Sequence, residues 1–488
     1  MSITRFLIVG TGFGGIEMAV ALQKAGIDDF VMLEKGNDIG GVWRDNSYPG
    51  CSCDVPSHLY SFSFAPYKGR EKRFPPQQDI LAYLRQVATD FRLWPHIRLN
   101  TAVAQAAFQE AQKRWQVITA SGEMYDAECV IFAVGQLHRP DFADIPGRQD
   151  FLGPKLHPAV WDHAVDLREK RIAIIGTGSS AAQMLPSLAS VARSVTVYQR
   201  SPGWILPKPS SDFGLLSRLA LRVPGTHYLY RKSLYYGADV LLSPVVRSRL
   251  LGRAAEAVGR YHLRRQVKDA SLRLKLLPSY PIGSKRILFD SHFYPALTRS
   301  NVRLITESIT QITATGIETA NGERIAADII VFTTGFKTSE FLAPISILGR
   351  DSRSLNEEWA SGAEAFMGLA VHGYPNAFII AGPNTFNPAG SNPAMKEVQV
   401  AYIMRCLRWK QDTGADAVEV RKGAMEGYRE WLDGKMNRTI WPASVNSWYK
   451  HESGKITNPW PASARSFAKM MRIHPGDSFQ VVGDLGKR

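Results

Sequence analysis

Two glycine-rich turns, one at the start of the chain and one near its middle, constrain the fold more than any other feature. Residues 6–15 read FLIVGTGFGG and residues 171–181 read RIAIIGTGSSA. An apolar run that ends in Gly-x-Gly-x-x-Gly or Gly-x-Gly-x-x-Ala predicts a buried strand, a tight turn and the start of a helix. Backbone N–H groups at such a helix N-terminus attract a pyrophosphate. The sequence therefore predicts an α/β fold with two Rossmann-like dinucleotide-binding domains.

The two turns differ at the position that selects the nucleotide. Counting 24 residues from the first glycine of each turn, Gly10 leads to Glu34 and Gly176 leads to Arg200. A carboxylate at this place accepts hydrogen bonds from a ribose diol and repels a 2′-phosphate, whereas a guanidinium pairs with that phosphate. We therefore expect an unphosphorylated adenine dinucleotide, FAD or NAD, at the first turn and NADPH at the second.

Length and composition indicate a globular protein that works in a reducing compartment. The chain has 488 residues, of which 45% are hydrophobic and 21% are charged, and it is long enough for two or three domains. It enters its first strand almost at Met1, and none of its apolar runs approaches the roughly 20 residues of a membrane span. Four cysteines, at positions 51, 53, 129 and 406, are too few for a disulfide framework, so we expect free thiols and a cytoplasmic protein.

The net charge of +15 is concentrated in one segment. Between Leu215 and Lys275 there are 13 Lys/Arg and 3 Asp/Glu, a net charge of +10 in 61 residues. Such a segment is typical of a surface for nucleic acid or anionic lipid, or simply of a solvated helical face. We prefer the solvated face, expect no nucleic-acid partner because no nucleic-acid module accompanies the charge, and leave contact with a membrane surface open.

The order of patterns repeats along the chain. Residues 302–306 resemble 97–101, and residues 328–335 resemble 129–135, so two related folds are predicted. Helical spacing is found at 79–91, 254–277 and 398–409. A strand is predicted at 97–103, a hairpin at 104–124, and the aromatic tail as a packed loop. We assign 1–140 and 336–488 to an FAD-binding domain, 141–169 to a linker, 170–211 and 281–335 to an NADP-binding domain, and 212–280 to a helical insertion.

Three short motifs around the two turns are specific to one family. Residues 151–162 read FLGPKLHPAVWD, which has the pattern F-x-G-x-x-x-H-x-x-x-W-D and is called the fingerprint. Gly41-x-Trp43 is followed by Tyr-Pro-Gly at 48–50 and by Asp54, and residues 283–286 read GSKR. In these motifs and in their order around the two turns, almost the whole chain resembles the type I Baeyer–Villiger monooxygenases.

The resemblance implies an activity and a set of site residues. Members of this family use NADPH to reduce FAD, add O2 to give a C4a-peroxyflavin, and convert a ketone to an ester or lactone, with sulfoxidation as a side activity. Carried over by motif, Arg286 is the catalytic arginine and Asp54 its partner, Arg200 and Lys285 hold the 2′-phosphate with Ser201, and no metal is involved. The implied cofactor-binding residues are Gly10, Gly12, Phe13, Gly14, Gly15, Glu34, Val42, Trp43, Asp54, Tyr60, Val103, Gln136, Gly176, Thr177, Gly178, Ser179, Ser180, Arg200, Ser201, Lys285 and Trp448.

An arginine and a carboxylate make chemical sense in such a site. A fixed positive charge beside an activated oxygen keeps that oxygen anionic and stabilises the oxyanion that forms when it attacks a carbonyl. Arginine is suited to this role because it does not lose its proton at working pH. A nearby carboxylate would orient the guanidinium.

Three other classes of protein share part of these features. A flavin-containing N- or S-monooxygenase has both nucleotide folds, but Trp161, Asp162 and Arg286 favour the ketone oxygenase. A flavin-dependent disulfide reductase needs a redox pair of cysteines, and the spacing of Cys51 and Cys53 does not fit one. A non-catalytic nucleotide-sensing or lipid-associated protein would fit the basic segment, yet it leaves Lys285, Arg286 and the fingerprint unexplained.

Overall fold

The fold is given by a computed structural model that describes residues 2–388, 390–445 and 447–483. Within these residues the strands are β1 (Ser2–Val9), β2 (Phe30–Leu33), β3 (Ile97–Arg98), β4 (Val103–Gln109), β5 (Arg114–Thr119), β6 (Met124–Phe132), β7 (Lys155–Leu156), β8 (Arg171–Ile175), β9 (Ser194–Tyr198), β10 (Ile205–Leu206), β11 (Leu288–Phe289), β12 (Val302–Ile305), β13 (Ile309–Thr313), β14 (Gly316–Thr319), β15 (Arg324–Ala326), β16 (Ile329–Phe332), β17 (Ser346–Leu348), β18 (Ala377–Ile379), β19 (Ala417–Val420) and β20 (Phe479–Val482). The α-helices are α1 (Phe13–Lys24), α2 (Val42–Asp45), α3 (Gln77–Asp90), α4 (Ser179–Val191), α5 (Leu215–Ala220), α6 (Thr226–Leu241), α7 (Arg249–Gln266), α8 (Ala270–Leu276), α9 (Phe293–Leu297), α10 (Leu355–Glu358), α11 (Asn392–Asp412), α12 (Lys422–Met436), α13 (Ala464–Met470) and α14 (Pro475–Ser478).

The first sheet carries the first glycine-rich turn. Its strand order is β17-β4-β5-β6-β1-β2-β3, and β18 also pairs with β6. Strand β1 is parallel to β2 and β6, whereas β5 is antiparallel to both of its neighbours, β4 and β6. The antiparallel β4–β5 pair confirms the predicted hairpin. Parallel neighbours need a crossover connection, and α1 supplies it between β1 and β2. Leu7 and Ile8 of β1 belong to apolar clusters on opposite faces, so this strand is buried on both sides.

The second sheet carries the second glycine-rich turn and is parallel throughout. Its strand order is β12-β9-β8-β16-β7. The unit β8-α4-β9 has the same connection as β1-α1-β2, and the predicted α/β class with two Rossmann-like folds is confirmed. Strand β7 comes from the stretch that we interpreted as a linker, and it pairs with β16. That stretch therefore extends the second sheet as well as connecting the two.

The basic segment is helical and contains α5 to α8. Its pattern, including 254–277, predicted helices joined by short turns, and in the structure α7 ends at Gln266 and α8 begins at Ala270. Val267 and Asp269 have extended backbones, and the Asp269 carboxylate accepts hydrogen bonds from the first backbone N–H groups of α8. An aspartate N-cap of this kind starts a new helix, which the apolar period alone does not reveal.

Two further predictions change in detail. The strand expected over 97–103 is interrupted, because Asn100 has a φ of +55° and its backbone N–H bonds to the Gly36 carbonyl. The tail forms a packed loop as predicted, with the side chains of Trp441, Tyr449 and Trp460 almost fully buried. In the part of the chain that the structure describes, the helices are all too short or too polar to cross a membrane.

Candidate active site

The first glycine-rich turn has glycine at positions where a side chain would clash with nearby backbone. Gly10 has a φ of +103°, and a Cβ atom there would lie 2.7 Å from the Ala133 carbonyl oxygen. At Gly15 a Cβ atom would lie 1.9 Å from the Gly10 carbonyl oxygen, so the helix packs too closely on the turn for any other residue. Gly12, the N-cap of α1, offers no side-chain acceptor to the helix. The first N–H groups of α1 thus remain available to an anion.

The second turn repeats this geometry. Gly176 has a φ of +111°, and a Cβ atom there would lie 2.7 Å from the Thr333 carbonyl oxygen. Gly178, the N-cap of α4, again supplies no side-chain acceptor, and a Cβ atom at this position would meet no protein atom within 4 Å. Ser179 and Ser180 form the first turn of α4. The N-terminus of α4 at Gly178 is therefore open to an anionic ligand.

Gly178→Ala is expected to separate nucleotide binding from folding. Because the added methyl group meets no protein atom, the melting temperature should change by only about 1–2 °C, while the methyl group obstructs a diphosphate at the turn. We expect a rise of at least about tenfold in the KM for NADPH, equivalent to about 1.4 kcal/mol. Gly423→Ala in α12 is the matched control, since a Cβ atom at this position also meets nothing within 4 Å. The KM for NADPH should not change in this variant.

Glu34 lies just after β2 and is 4% exposed. Its Oε2 atom accepts hydrogen bonds from the backbone N–H and hydroxyl of Thr11, at 3.0 and 2.7 Å. Its Oε1 atom accepts from the Gly36 N–H at 2.9 Å and from Arg44 Nη1 at 2.6 Å. Burial by itself would raise the pKa of Glu34, but the charge of Arg44 and these hydrogen bonds hold it below its usual value. Contact with a ribose stays a prediction, and a ribose hydroxyl would have to share an oxygen with one of these donors.

Arg200, Ser201 and Lys285 lie together beyond the end of β9. Lys285 Nζ donates a hydrogen bond of 2.6 Å to Ser201 Oγ. Burial and the positive charge of Arg200 both lower the pKa of Lys285. Among the described residues, neither cation has a carboxylate within ion-pair distance. Two cations that repel each other beside a hydroxyl form a site that fits a phosphate group.

Arg286 and Asp54 form an ion pair that is about four-fifths buried. Arg286 Nη2 lies 2.6 Å from Asp54 Oδ2, and the two side chains are 24% and 19% exposed. Burial alone would raise the pKa of Asp54, but the charge of Arg286 lowers it below its usual value, and Lys208 adds to this effect. Burial would lower the pKa of Arg286, and the Asp54 carboxylate more than reverses that. Both groups therefore stay charged through the physiological pH range.

An aromatic ring lies beside the guanidinium of Arg286 and packs on a second ring. The Arg286 guanidinium carbon lies 5.4 Å from the centre of the Phe386 ring, and Phe386 packs on Trp448 with ring centres 4.8 Å apart. The Trp448 carbonyl accepts hydrogen bonds from Thr338 Oγ1 and Asn458 Nδ2, at 3.0 and 2.7 Å. The structure thus brings the predicted Trp448 next to the arginine through Phe386, an intermediary that the sequence did not indicate.

The structure places the predicted flavin-side residues in several different parts of the first fold. Trp43 Nε1 donates a hydrogen bond of 3.2 Å to the Tyr60 hydroxyl, and the Tyr60 ring packs edge-on against Phe13, with centres 5.2 Å apart. Gln136 Nε2 lies 3.3 Å from the carbonyl oxygens of residues 381 and 382. Val103 is buried in the apolar cluster that includes Leu33. Val42, the first residue of α2, is partly buried beside the first turn.

The four thiols are free and buried, so they do not form a redox pair. Burial raises the pKa of the Cys51 thiol to about 12. Burial likewise raises the pKa of the Cys53 thiol well above its usual value. Both residues are therefore neutral at physiological pH, which excludes the thiolate chemistry of a disulfide reductase at this place.

The fingerprint residues fasten the segment 141–169 to the second sheet. His157 is fully buried, its Nε2–H donates to the Gly335 carbonyl oxygen at 2.9 Å, and its Nδ1 accepts from the Ala159 N–H at 3.1 Å. Burial lowers the pKa of His157, so the ring is neutral at physiological pH. Trp161 is buried, whereas Asp162 is exposed. These contacts indicate a positioning role for the fingerprint.

A pocket lies between the basic segment, the loop that contains Lys285 and the tail. Its walls are mostly apolar, with Lys285 as the charged group on one side. The apolar lining comes mainly from Leu242, Val246, Ile287, Phe289, Tyr449 and Trp460. Tyr449, which lines the pocket, is also near enough to Arg286 to raise the pKa of its guanidinium. The pocket therefore shares one side chain with the surroundings of Arg286.

Known proteins resemble this chain over almost its entire length. A Baeyer–Villiger monooxygenase of Pseudomonas aeruginosa is 37% identical, over 98% of this chain and 91% of its own length. An FAD-binding monooxygenase of Aspergillus niger is 36% identical, over 95% of this chain and 79% of its own. The chain belongs to the Baeyer–Villiger monooxygenases. A solved structure of an oxidised steroid monooxygenase bound to NADP superimposes with a TM-score of 0.87 at 27% identity, covering 99% of this chain and all of the other.

Family membership decides between the alternatives that the sequence left open. Residues 7–215 also match the model of the pyridine nucleotide-disulphide oxidoreductases, which shares the dinucleotide fold, but Cys51 and Cys53 do not supply the dithiol. This Baeyer–Villiger monooxygenase is an FAD-dependent enzyme that uses NADPH.

Sequence reasoning missed three residues of the site. Arg44 neutralises Glu34, Lys208 adds positive charge near Asp54, and Tyr449 lies against Arg286. The position of Arg44 directly after the Gly-x-Trp motif was a usable signal for the first of these. Lys208 and Tyr449 are brought in from distant parts of the chain, and no local pattern marks them.

Proposed function

We propose that Arg286 and Asp54 are the catalytic pair of an oxygen insertion next to a ketone carbonyl, which gives an ester or a lactone. The observation that supports this most directly is the buried 2.6 Å ion pair between them. Asp54 belongs to the segment that follows the first turn, and Arg286 to the segment that closes the second fold. Because Asp54 comes from the fold proposed to bind FAD and Arg286 from the fold proposed to bind NADPH, the ion pair would lie between the two cofactors.

The role of each side chain follows from its charge. When bound, FAD is reduced by NADPH and supplies the activated oxygen from O2. The Arg286 guanidinium, which remains protonated, stabilises negative charge on that oxygen and on the oxyanion that forms at the ketone carbon. Asp54 holds the guanidinium in place through the hydrogen bond to Nη2. The rings of Phe386 and Tyr449 exclude water, which strengthens the electrostatic effect of the arginine.

The nucleotide contacts of this chain form the second part of the proposal. Arg200 and Lys285 bind the 2′-phosphate of NADPH, and Ser201 donates its hydroxyl. The first N–H groups of α4, with Thr177, Ser179 and Ser180 beside them, bind the diphosphate. Two observations support this assignment. Arg200 and Lys285 lie together with no carboxylate at ion-pair distance among the described residues, and Gly178 leaves the N-terminus of α4 without a side-chain cap. For FAD, the first turn would bind the diphosphate, and Trp43, Tyr60 and Gln136 would lie beside the flavin.

The pocket beside Lys285 and Tyr449 is the proposed ketone site. Its aliphatic and aromatic lining favours an apolar ketone, which would point its carbonyl toward Arg286. The four free, buried thiols support a cytoplasmic protein, because an oxidising compartment would not maintain them.

A panel of ketones tests this function. Linear, cyclic, aryl and steroid ketones, together with one sulfide, are added to the FAD-loaded enzyme, and NADPH consumption is followed by absorbance. We expect at least one ketone to stimulate NADPH oxidation and to yield a product heavier by one oxygen atom in the mass spectrum. Oxygen addition to the sulfide alone would contradict the proposal, and so would a failure of NADPH to bleach the flavin under anaerobic conditions.

A further inference from the structure

The segment 215–277, which contains α5 to α8, is both the most basic and the most apolar part of the described surface. It has 13 Lys/Arg and 3 Asp/Glu between residues 215 and 275. Among the described residues, 15 of the 23 large apolar side chains that are exposed belong to it. Scattered exposed leucines need no explanation, but such a concentration in about one-eighth of the chain indicates a binding surface.

Helix α7 separates these two kinds of side chain into neighbouring stripes. Leu250 is 77% exposed and Tyr261 is 66% exposed. The apolar stripe consists of Leu250, Ala254, Val258 and Tyr261, spaced by three or four residues. The basic stripe consists of Arg249, Arg253, Arg260 and Arg264. At 3.6 residues per turn, the two stripes run side by side along the outer face.

Helices α5 and α6 continue this surface. In α5, Leu215, Leu216 and Leu219 are exposed within little more than one helical turn, and Leu216 is 82% exposed. In α6, the exposed residues Tyr228, Lys232, Tyr236 and Val240 are spaced by four and share one face. The outer face of the segment therefore combines apolar and basic groups on more than one helix.

The segment is fastened to the rest of the molecule by its inner side. Arg231 Nη1 donates to the carbonyl oxygens of His58 and Ser61, each at 2.8 Å. The buried Asp239 accepts from the Ala464 N–H at 2.6 Å and from Arg465 Nε at 2.8 Å. Because these hydrogen bonds hold the inner side of α6 against the rest of the molecule, its apolar outer face stays directed to solvent.

We propose that this outer face binds the surface of an anionic lipid membrane. Helices with an apolar stripe flanked by Lys and Arg lie in the plane of the membrane interface, with the apolar side chains among the acyl chains and the cations at the headgroups. Nucleic acid would engage the arginines but would leave the leucines in water. A second copy would place two surfaces of the same positive charge against each other, because a two-fold interface pairs a surface with itself.

The position of the face relative to the pocket agrees with this proposal. Helix α6 ends with the exposed side chains of Val240 and Leu241, and the next two residues, Leu242 and Ser243, line the pocket beside Lys285. On the proposed function, an apolar ketone dissolved in the membrane would reach the pocket along α6. Membrane binding itself does not depend on that function and is measured without turnover.

Flotation of the FAD-loaded enzyme with vesicles tests the proposal. We expect binding to vesicles of phosphatidylcholine and phosphatidylglycerol, little binding to phosphatidylcholine alone, and weaker binding as salt is added. A basic side chain at an anionic surface contributes about fivefold to binding. The partition coefficient should therefore fall by about 100-fold in the triple variant Arg249→Gln/Arg253→Gln/Arg264→Gln.

Two further variants make the test specific. The matched control Arg193→Gln/Arg299→Gln/Lys422→Gln removes three exposed cations outside the segment and should bind as the wild type does. The variant Leu216→Gln/Leu229→Gln/Leu250→Gln keeps the net charge of the segment. Its partition coefficient for the anionic vesicles should be at least about tenfold lower than that of the wild type. Any of four results would overturn the proposal. Two concern the wild type, which would either not bind vesicles at all or bind neutral and anionic vesicles equally. The other two are a loss of binding in the control variant as large as that in the arginine variant, and self-association of the protein that the leucine variant abolishes. Flavin absorbance and melting temperature, recorded for every variant, confirm that it is folded.

Discussion

Arg286→Ala is expected to abolish ester formation while the flavin is still reduced by NADPH. The guanidinium stabilises negative charge on oxygen, and the loss of one such group typically costs about 100- to 1,000-fold in rate. Hydride transfer does not need this charge, so anaerobic bleaching of the flavin should proceed at nearly the wild-type rate. In air, NADPH oxidation should continue and release hydrogen peroxide in place of the ester. Stopped-flow absorbance, a peroxide assay and product mass spectrometry measure these three quantities.

A folding defect must be separated from this catalytic effect. Removal of Arg286 leaves the buried Asp54 carboxylate unpaired, which typically costs about 3–5 kcal/mol of stability. The double variant Arg286→Ala/Asp54→Ala removes both charges and should be more stable than the single variant, yet equally unable to form ester. Ester formation at the wild-type rate in either variant would remove Arg286 from the proposed mechanism.

Arg200→Ala is expected to weaken NADPH far more than NADH. A hydrogen bond to a charged group contributes about 1.5–3 kcal/mol, so the KM for NADPH should rise by about 10- to 150-fold. NADH lacks the 2′-phosphate, and its KM should change by less than about twofold. The rate constant for flavin reduction at saturating NADPH should stay close to that of the wild type. Steady-state kinetics with both nucleotides check this expectation.

Arg193 provides the matched control, because it precedes β9 whereas Arg200 follows it. Both arginines are exposed, and they stand at opposite ends of the same strand. Arg193→Ala should leave both KM values unchanged. Equal increases for NADPH and NADH in Arg200→Ala would show that the 2′-phosphate is recognised elsewhere, with Lys285 as the next residue to substitute.

The two glycine-rich turns were predictable because their requirements are local. A positive φ at Gly10 and Gly176 and the close helix packing at Gly15 are fixed within a few residues, so a short pattern reports them. The resemblance extended this to Arg286 and Asp54, which are 232 residues apart and which no spacing rule would pair. Where Asn100 bends the chain, apolar periodicity alone gave a strand that was too long.

By itself, the sequence determined the α/β class and the two dinucleotide turns. It also determined the opposite charges of Glu34 and Arg200, each 24 residues after the first glycine of its turn. Only the tertiary structure decided that Arg44 binds Glu34, that Lys208 and Tyr449 lie near the Arg286–Asp54 pair, and that many leucines of the basic segment face outward. The reason is physical. A turn is specified by neighbouring residues, whereas burial and charge pairing depend on which distant segments the two sheets bring together.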